Sequence, residues 1–445
     1  MIRKLGNAAT SLALILIVAL GLRVTMTRNY VHQRPPQSLA VLPFLFESGN
    51  IANSLASGKG FSSPFRVSTG PTAWMTPVYP VLLAGVIRLF GAYRFQSYLG
   101  AVALNILFST LACVPIYFAG RRIGGARLGA LAAWLWAVFP NANLLTFESL
   151  WDASLDALLG ATLLWATLSL GANPQPKRNW WAYGLLWGFT LMTNAVFALL
   201  LPFWLGWIAY RQWKRGYGWA WPVAVTTGVA VLCCVPWTIR NYEVFHAFVP
   251  LRSVMGLQLW QGNNALTTPV FLGTQHPIFN SAEREKYIEM GEIAYMREKT
   301  SLALEYAEQN PGRVLALTGR RFLSVWLGGT SFPLRDFLRS RSLWFRYVVL
   351  FNLLAAIGAL AGILALWRSH SDYALPIAAA PLVFPLPYYV TLVEPRYRLP
   401  VDPVVLLLLA IALLAAARLA GKRIWPLCRF PRILLRPTIR GAVPP

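Results

Sequence analysis

The chain has 445 residues, 56% of them hydrophobic and only 13% charged, which excludes a soluble globule and implies a polytopic membrane protein. Forty basic residues against 16 acidic ones give a net charge of +24. The basic residues lie mostly in short loops and the C-terminal tail beside apolar segments, so membrane orientation and anionic lipid account for them and nucleic acid does not.

The N-terminus from Met1 to Val24 combines a basic start with a long apolar run and no small-residue cleavage pattern before Arg28, the signature of an uncleaved first span. With this run as the first, eleven apolar segments occur in chain order: 8–25, 77–91, 99–119, 126–145, 152–171, 180–193, 195–210, 219–237, 344–367, 373–391 and 400–420. Arg3 and Lys4, Arg121, Arg122 and Arg127, Lys177 and Arg178, Arg211, Lys214 and Arg215, and Arg368 mark the cytoplasmic connections, and the basic tail places the C-terminus on the same side. With both ends inside, the number of crossings is even, so one segment does not span. Segment 77–91 is the candidate, because ~15 helical residues reach only ~22 Å against a ~30 Å hydrocarbon core. The expected fold is an all-α membrane protein with about 10–11 transmembrane helices.

This orientation puts four polar stretches on the outer side: 26–76, 140–152, the long island 238–343 and the short turn 392–399. In the island, Glu283, Glu285, Glu289, Glu292, Glu298, Glu305 and Glu308 alternate with Tyr287, Ile288, Tyr295, Leu302 and Tyr306 at helical spacing. Asn280 and Ser281 offer an N-cap, and Asn310 with Pro311 a stop, so the run reads as one amphipathic helix whose glutamates form a solvated face. The organisation expected is an N-terminal membrane module 1–237 containing the first outer loop 26–76, the helical region 238–343, C-terminal membrane helices 344–420 and a basic cytoplasmic tail 421–445.

Carboxylates are scarce, so their positions are informative. Glu47 is the only one before Glu148 and stands in the first polar loop. Glu148 and Asp152 lie one helical turn apart, so both can face one site, as a second acid or as ligands of a divalent metal such as Mg or Mn. Asp156 lies a further turn on, where an unpaired charge is costly and must face protein or water. Arg396 and Arg398 flank Tyr397 in the turn held by Pro395 and Pro400, where alternate residues of an extended chain point the same way and two guanidiniums can clamp one phosphate. Arg240 follows Pro236-Trp237 at the end of a span and either joins that clamp or snorkels to the interface. Arg252, Lys59 and Arg66 are weaker phosphate candidates. The bland alternative for Glu47 is a helix N-terminal acid favoured by the dipole. Four cysteines without a CxxC spacing and four scattered histidines imply neither a disulfide framework nor a histidine metal site.

Three stretches resemble a known family: PFLFESGNIANSLASGKGFSSPF with GPTAWMTPVYPVLLAGVIRLFG at 43–91, PWTIRNYEVFHAFVPLRSVMGLQLWQGNN at 236–264, and EPRYRLPVDP at 394–403. They are similar to the GT-C glycosyltransferases, whose members include protein O-mannosyltransferases, aminoarabinose transferases and Rgt-type sugar transferases. Members usually carry an Asp-Glu or Asp-Asp pair in the first loop, whereas here Phe46 and Ser48 flank Glu47. The resemblance implies a transfer enzyme of the plasma (inner) membrane with its active site facing the periplasm or exterior. It would move a sugar from a polyprenyl-phosphate donor, with inversion, to a hydroxyl of a lipid, glycan or protein.

That chemistry fits the residues: a phosphate leaving group needs cations and no general acid, and a hydroxyl acceptor needs a base. Glu47 is the expected base, Glu148 or Asp152 the helper, and Arg396, Arg398, Tyr397 and Arg240 the phosphate site. The competing readings are a transporter or flippase of lipid-linked sugars and a non-catalytic scaffold.

Overall fold

The computed structural model describes residues 10–419 except 149, 173–174, 269–272, 328–336, 338, 341 and 370. Arg3, Lys4, His370 and the basic tail 421–445 lie outside the described residues. Among the described residues all eleven apolar segments are helical over most of their length, and no strand occurs apart from an isolated Ser62–Pro71 bridge in the first loop.

In chain order the principal helices are α1 (Leu12–His32), α2 (Glu47–Ala56), α3 (Val78–Phe90), α4 (Phe95–Leu111), α5 (Cys113–Gly124), α6 (Ala126–Val138), α7 (Ala153–Leu170), α8 (Lys177–Thr193), α9 (Leu201–Lys214) and α10 (Ala220–Phe245). They continue with α11 (Met255–Gly262), α12 (Ser281–Met290), α13 (Glu292–Gln309), α14 (Pro311–Leu327), α15 (Leu343–Arg368), α16 (Ala374–Val383) and α17 (Asp402–Leu419).

Seven stretches among the described residues are long and apolar enough to cross a membrane: α1, Phe95–Gly124, α7, Ala195–Lys214, α10, α15 and α17. Of the remaining apolar segments, 180–193 lies in the 17-residue α8, and the others fall short for visible reasons, 77–91 as expected. α3 has 13 residues, too few to cross, as its sequence length suggests. α6 stops at Val138 because Phe139 is extended and Pro140 starts a new turn. Pro385 separates α16 from the short helix Leu386–Val390.

Burial identifies α17 as the axis of the bundle, since every residue from Asp402 to Ala410 is buried. Small residues let neighbours approach it. A Cβ on Gly362 of α15 would stand 2.3 Å from the Leu408 carbonyl oxygen, so only glycine fits at that crossing. α6 and α7 supply alanine-rich faces to the same core. Polar groups inside the bundle are mostly paired. The Arg23 guanidinium of α1, fully buried, donates to Ser109 Oγ at 2.9 Å and to its own helix at Ala19 O.

The region after α10 forms a cap, α11 to α14. Asn280 caps α12 by accepting from Ala282 and Glu283 amides, and α13 ends at Gln309 before Asn310 and Pro311, as the sequence indicates. The expected single helix is instead two, because Gly291 takes φ +75° and turns the chain between them.

The glutamates of this run also divide. Glu285, Glu289, Glu305 and Glu308 are exposed and form the solvated face. Glu292 is buried and accepts four hydrogen bonds, from Thr72 Oγ1 (2.5 Å), the Ala73 amide (2.8 Å), Ser253 Oγ (2.6 Å) and Tyr287 Oη (2.6 Å). It therefore ties the first loop to the cap. Hydrogen bonds to a buried charge are worth more than neutral ones, and leaving their donors orphaned is expensive. Glu292→Ala should lower the free energy of local opening of the cap by about 2–4 kcal/mol. Tryptic cleavage within 281–309 under native conditions measures this, and an unchanged cleavage rate would contradict it.

Candidate active site

The first loop is folded around backbone contacts that leave Glu47 no freedom. Glu47 opens α2, whose Asn50 side chain donates to Leu45 O (3.0 Å) and Pro64 O (3.1 Å). Gly49 packs so tightly that a Cβ there would lie 2.4 Å from Phe44 O. Ser48 donates to Leu150 O at 2.9 Å and so joins this loop to the segment leading into α7.

Glu47, 6% exposed, then faces a cavity of about 550 Å3. Four parts of the chain wall it: the first loop with Trp74 and Thr76, the start of α7 with Trp151, Asp152 and Asp156, the cap with Arg252 and His276, and the turn with Arg396 and Tyr397. Asn194 at the end of α8 closes the floor.

His276 Nε2 lies 3.0 Å from Glu47 Oε1. Its Nδ1 accepts from the Ile278 amide at 3.2 Å, so the ring hydrogen sits on Nε2 and is donated to the carboxylate. Burial opposes ionisation of Glu47. His276, a backbone hydrogen bond and the Arg396 charge outweigh it and hold the carboxyl below its ordinary value. Asp152 goes the other way: burial raises it, and Arg396 and Arg252 only partly compensate. Its carboxylate caps no amide of α7. Two acids of one cavity thus have opposite electrostatic settings.

Arg396 pairs with Glu394 at 2.9 Å, and its guanidinium carbon lies 3.6 Å from the centre of the Trp151 ring. Burial works against its charge, but Glu394, Tyr397 and Glu47 outweigh that and keep it protonated. Arg252, a half-buried donor to Gln258 Oε1 at 3.0 Å, is the second cation of the cavity. Tyr397 is pushed up to about 12, by burial first and then by Glu394, so its hydroxyl keeps its proton at neutral pH.

Not all expected residues meet here. Glu47, Glu148, Asp152, Arg396 and Tyr397 line the cavity, with Glu148 at the exposed rim. Arg398 does not. It is 3% exposed and donates to Asp402 Oδ1 (2.6 Å), Val325 O (3.0 Å), Trp326 O (2.7 Å) and the Asn352 side chain. The turn is a tight 3-10 segment rather than an extended strand, so residues two apart diverge and the double clamp does not form. Arg240 is also elsewhere, donating to Thr72 O (2.7 Å) and Phe61 O (2.8 Å) and holding the first loop from below. Lys59 and Arg66 are exposed and do not reach the cavity.

His276 was not legible as a site residue, because its partner lies more than two hundred positions earlier and a single histidine carries no spacing signal. Arg252 was visible only as a weak candidate, and Asn194 carried no signal at all.

The expected ligands Glu148 and Asp152 do not by themselves complete a Mg or Mn site. Among the described residues no group of three His, Cys, Asp or Glu side chains is placed to hold an ion. One Glu47 oxygen is occupied by His276, one Asp156 oxygen by Asn194, and Glu148 stands apart at the rim.

No protein-family model matches the sequence, and no curated protein does. Solved structures do match. The apo oligosaccharyltransferase of Archaeoglobus fulgidus is 14% identical, with a TM-score of 0.54 over 95% of this chain and 53% of that one. The archaeal oligosaccharyltransferase AglB from Archaeoglobus fulgidus, in complex with an inhibitory peptide and a dolichol-phosphate, is 15% identical with a TM-score of 0.52, again over 95% and 53%. ArnT from Cupriavidus metallidurans bound to undecaprenyl phosphate is 15% identical over 89% of this chain and 79% of that one, but at a TM-score of 0.35 it carries no weight here. The chain has the GT-C fold and spans about half the length of the oligosaccharyltransferase.

The Glu47–His276 contact makes a pH prediction. Because Glu47 is depressed in the fold, its contribution to stability is present above its unfolded value and is lost as pH falls through the folded one. His276→Ala should move the Glu47 titration to higher pH, followed by carboxyl 13C NMR. An unmoved titration would show that His276 does not act on it.

Proposed function

We propose that the protein is a membrane glycosyltransferase that moves a sugar from a polyprenyl-phosphate donor to an acceptor hydroxyl carried by a lipid, glycan or protein. The observation that carries this reading is the meeting, on a GT-C fold, of one ionised carboxylate and two arginines in a single aromatic-lined cavity. A dolichol-phosphate complex of the archaeal oligosaccharyltransferase supports the donor class.

In the proposed step Glu47 takes the proton of the acceptor hydroxyl, whose oxygen attacks the anomeric carbon as the bond from that carbon to the phosphate oxygen breaks. In-line displacement inverts that centre. The polyprenyl phosphate leaves with the bonding electron pair, and the added negative charge falls on Arg396 and Arg252. Glu394 engages only one edge of the Arg396 guanidinium, which has five N–H donors, so others remain for phosphate oxygens. A low Glu47 pKa keeps the base ionised at neutral pH, and the arginines supply stabilisation where charge develops. Trp151, under the Arg396 guanidinium, fixes its plane. Active-site exposure to the periplasm or exterior, across the plasma membrane, belongs to the same proposal and rests on the basic loops of the opposite side.

Purified protein incubated with a panel of radiolabelled polyprenyl-phosphate sugars should consume at least one. Glu47→Gln should lower transfer by roughly 10²–10⁴-fold at equal expression, with polyprenyl-phosphate binding retained. Arg396→Ala should instead weaken binding of the lipid phosphate about tenfold or more. Undiminished transfer by Glu47→Gln would refute the base assignment.

A further inference from the structure

Asp156 is an acid of the cavity that the proposed step does not use, and the most deeply buried of those left over. It is 1% exposed, in the first turn of α7. One of its oxygens, Oδ2, accepts from Asn194 Nδ2 at 2.7 Å. The orientation of that amide is fixed, because Asn194 Oδ1 accepts from the Val196 amide at 3.0 Å and so caps the turn after α8. Thr76 of the first loop donates to the adjacent Thr193 carbonyl at 2.5 Å, which locks the floor to the wall above it. The other oxygen, Oδ1, is buried and has no hydrogen-bond partner, yet Asp156 lines the cavity. A buried carboxylate oxygen without a donor is expensive, and a bound ligand that brings one recovers the cost.

The charges of the cavity restrict what that ligand carries. Five carboxylates, Glu47, Glu148, Asp152, Asp156 and Glu394, face the two guanidiniums. A donor phosphate takes the guanidiniums, so the buried floor around Asp152 and Asp156 offers hydrogen-bond acceptors but no free cation, and a second anion brought there is penalised by burial and by its like-charged neighbours. From the buried, unpaired oxygen and this charge arrangement, we infer that Asp156 is a sugar-recognition residue that accepts a hydrogen from the transferred sugar and confines the donor to sugars without an acidic group. Asn194 is a positioning residue for it. The inference rests on the glycosyltransferase reading.

The test uses full-length protein and three kinds of synthetic probe: sugar-free undecaprenyl phosphate, a set of undecaprenyl-phosphate derivatives of neutral hexoses, pentoses and N-acetylhexosamines, and the corresponding hexuronosyl derivatives. Wild-type protein should bind its preferred neutral derivative at least about tenfold tighter than the uronosyl counterpart. Asp156→Asn should reduce that preference to within about threefold, weakening the neutral derivative by roughly 10- to 100-fold and leaving sugar-free lipid phosphate unchanged. The wild-type comparison needs no variant and so stands even if Asp156→Asn does not fold. Equal wild-type binding of neutral and uronosyl derivatives would overturn the inference, as would a variant that loses sugar-free and sugar-bearing lipid alike. Failure of wild-type protein to bind any of the probes would instead overturn the glycosyltransferase reading, and the role of Asp156 with it.

Discussion

The carboxylate of Glu292 is the contact on which the site depends. It collects donors from three places far apart in the chain: the first loop at Thr72 and Ala73, the stretch after α10 at Ser253, and α12 at Tyr287. The loop is gripped from its other side by Arg240, which takes the Thr72 and Phe61 carbonyls. With the loop fixed between these two charges, Trp74 packs on Phe65 and Tyr287 and the segment bearing His276 lies against Glu47. Arg252 lies next to Ser253, so the same grip brings a cation to the cavity. His276 reaches Glu47 from this cap side, whereas Arg396 acts on it from the turn.

Two carboxylates in one cavity with opposite shifts are a physical means of dividing labour. Glu47 stays ionised because donors and cations surround it, while burial dominates at Asp152. Arg396 acts on both, and Arg252 on Asp152. Arg398 performs the structural counterpart a turn away, holding the first residue of α17 against α14 and α15 through Asp402, Val325, Trp326 and Asn352. One short turn therefore carries a cavity-facing arginine and a framework arginine two residues apart.

The helices were legible because apolar runs of fixed length leave a chain little else to do in a membrane, and the fold class followed from them. Glu47 was legible through its isolation, and Arg396 through its turn. The difference between Arg396 and Arg398 was not, because it depends on the 3-10 geometry of the turn and on acceptors in α14 and α15 that no local pattern specifies. Glu292 was hidden among six other glutamates at helical spacing, since four of these are solvated and all its partners but Tyr287 are tens to hundreds of residues away. The split at Gly291 was open to reading from the glycine itself, which interrupts the amphipathic run.

The account turns on a phosphate held between Arg396 and Arg252 beside Glu47. A structure of the protein with polyprenyl phosphate bound measures this directly. The phosphate oxygens should lie within hydrogen-bond distance of both guanidiniums, with the vacant side of the phosphate directed toward Glu47. A phosphate bound at the Arg240 or Lys59 face of the first loop, or outside the cavity altogether, would contradict it.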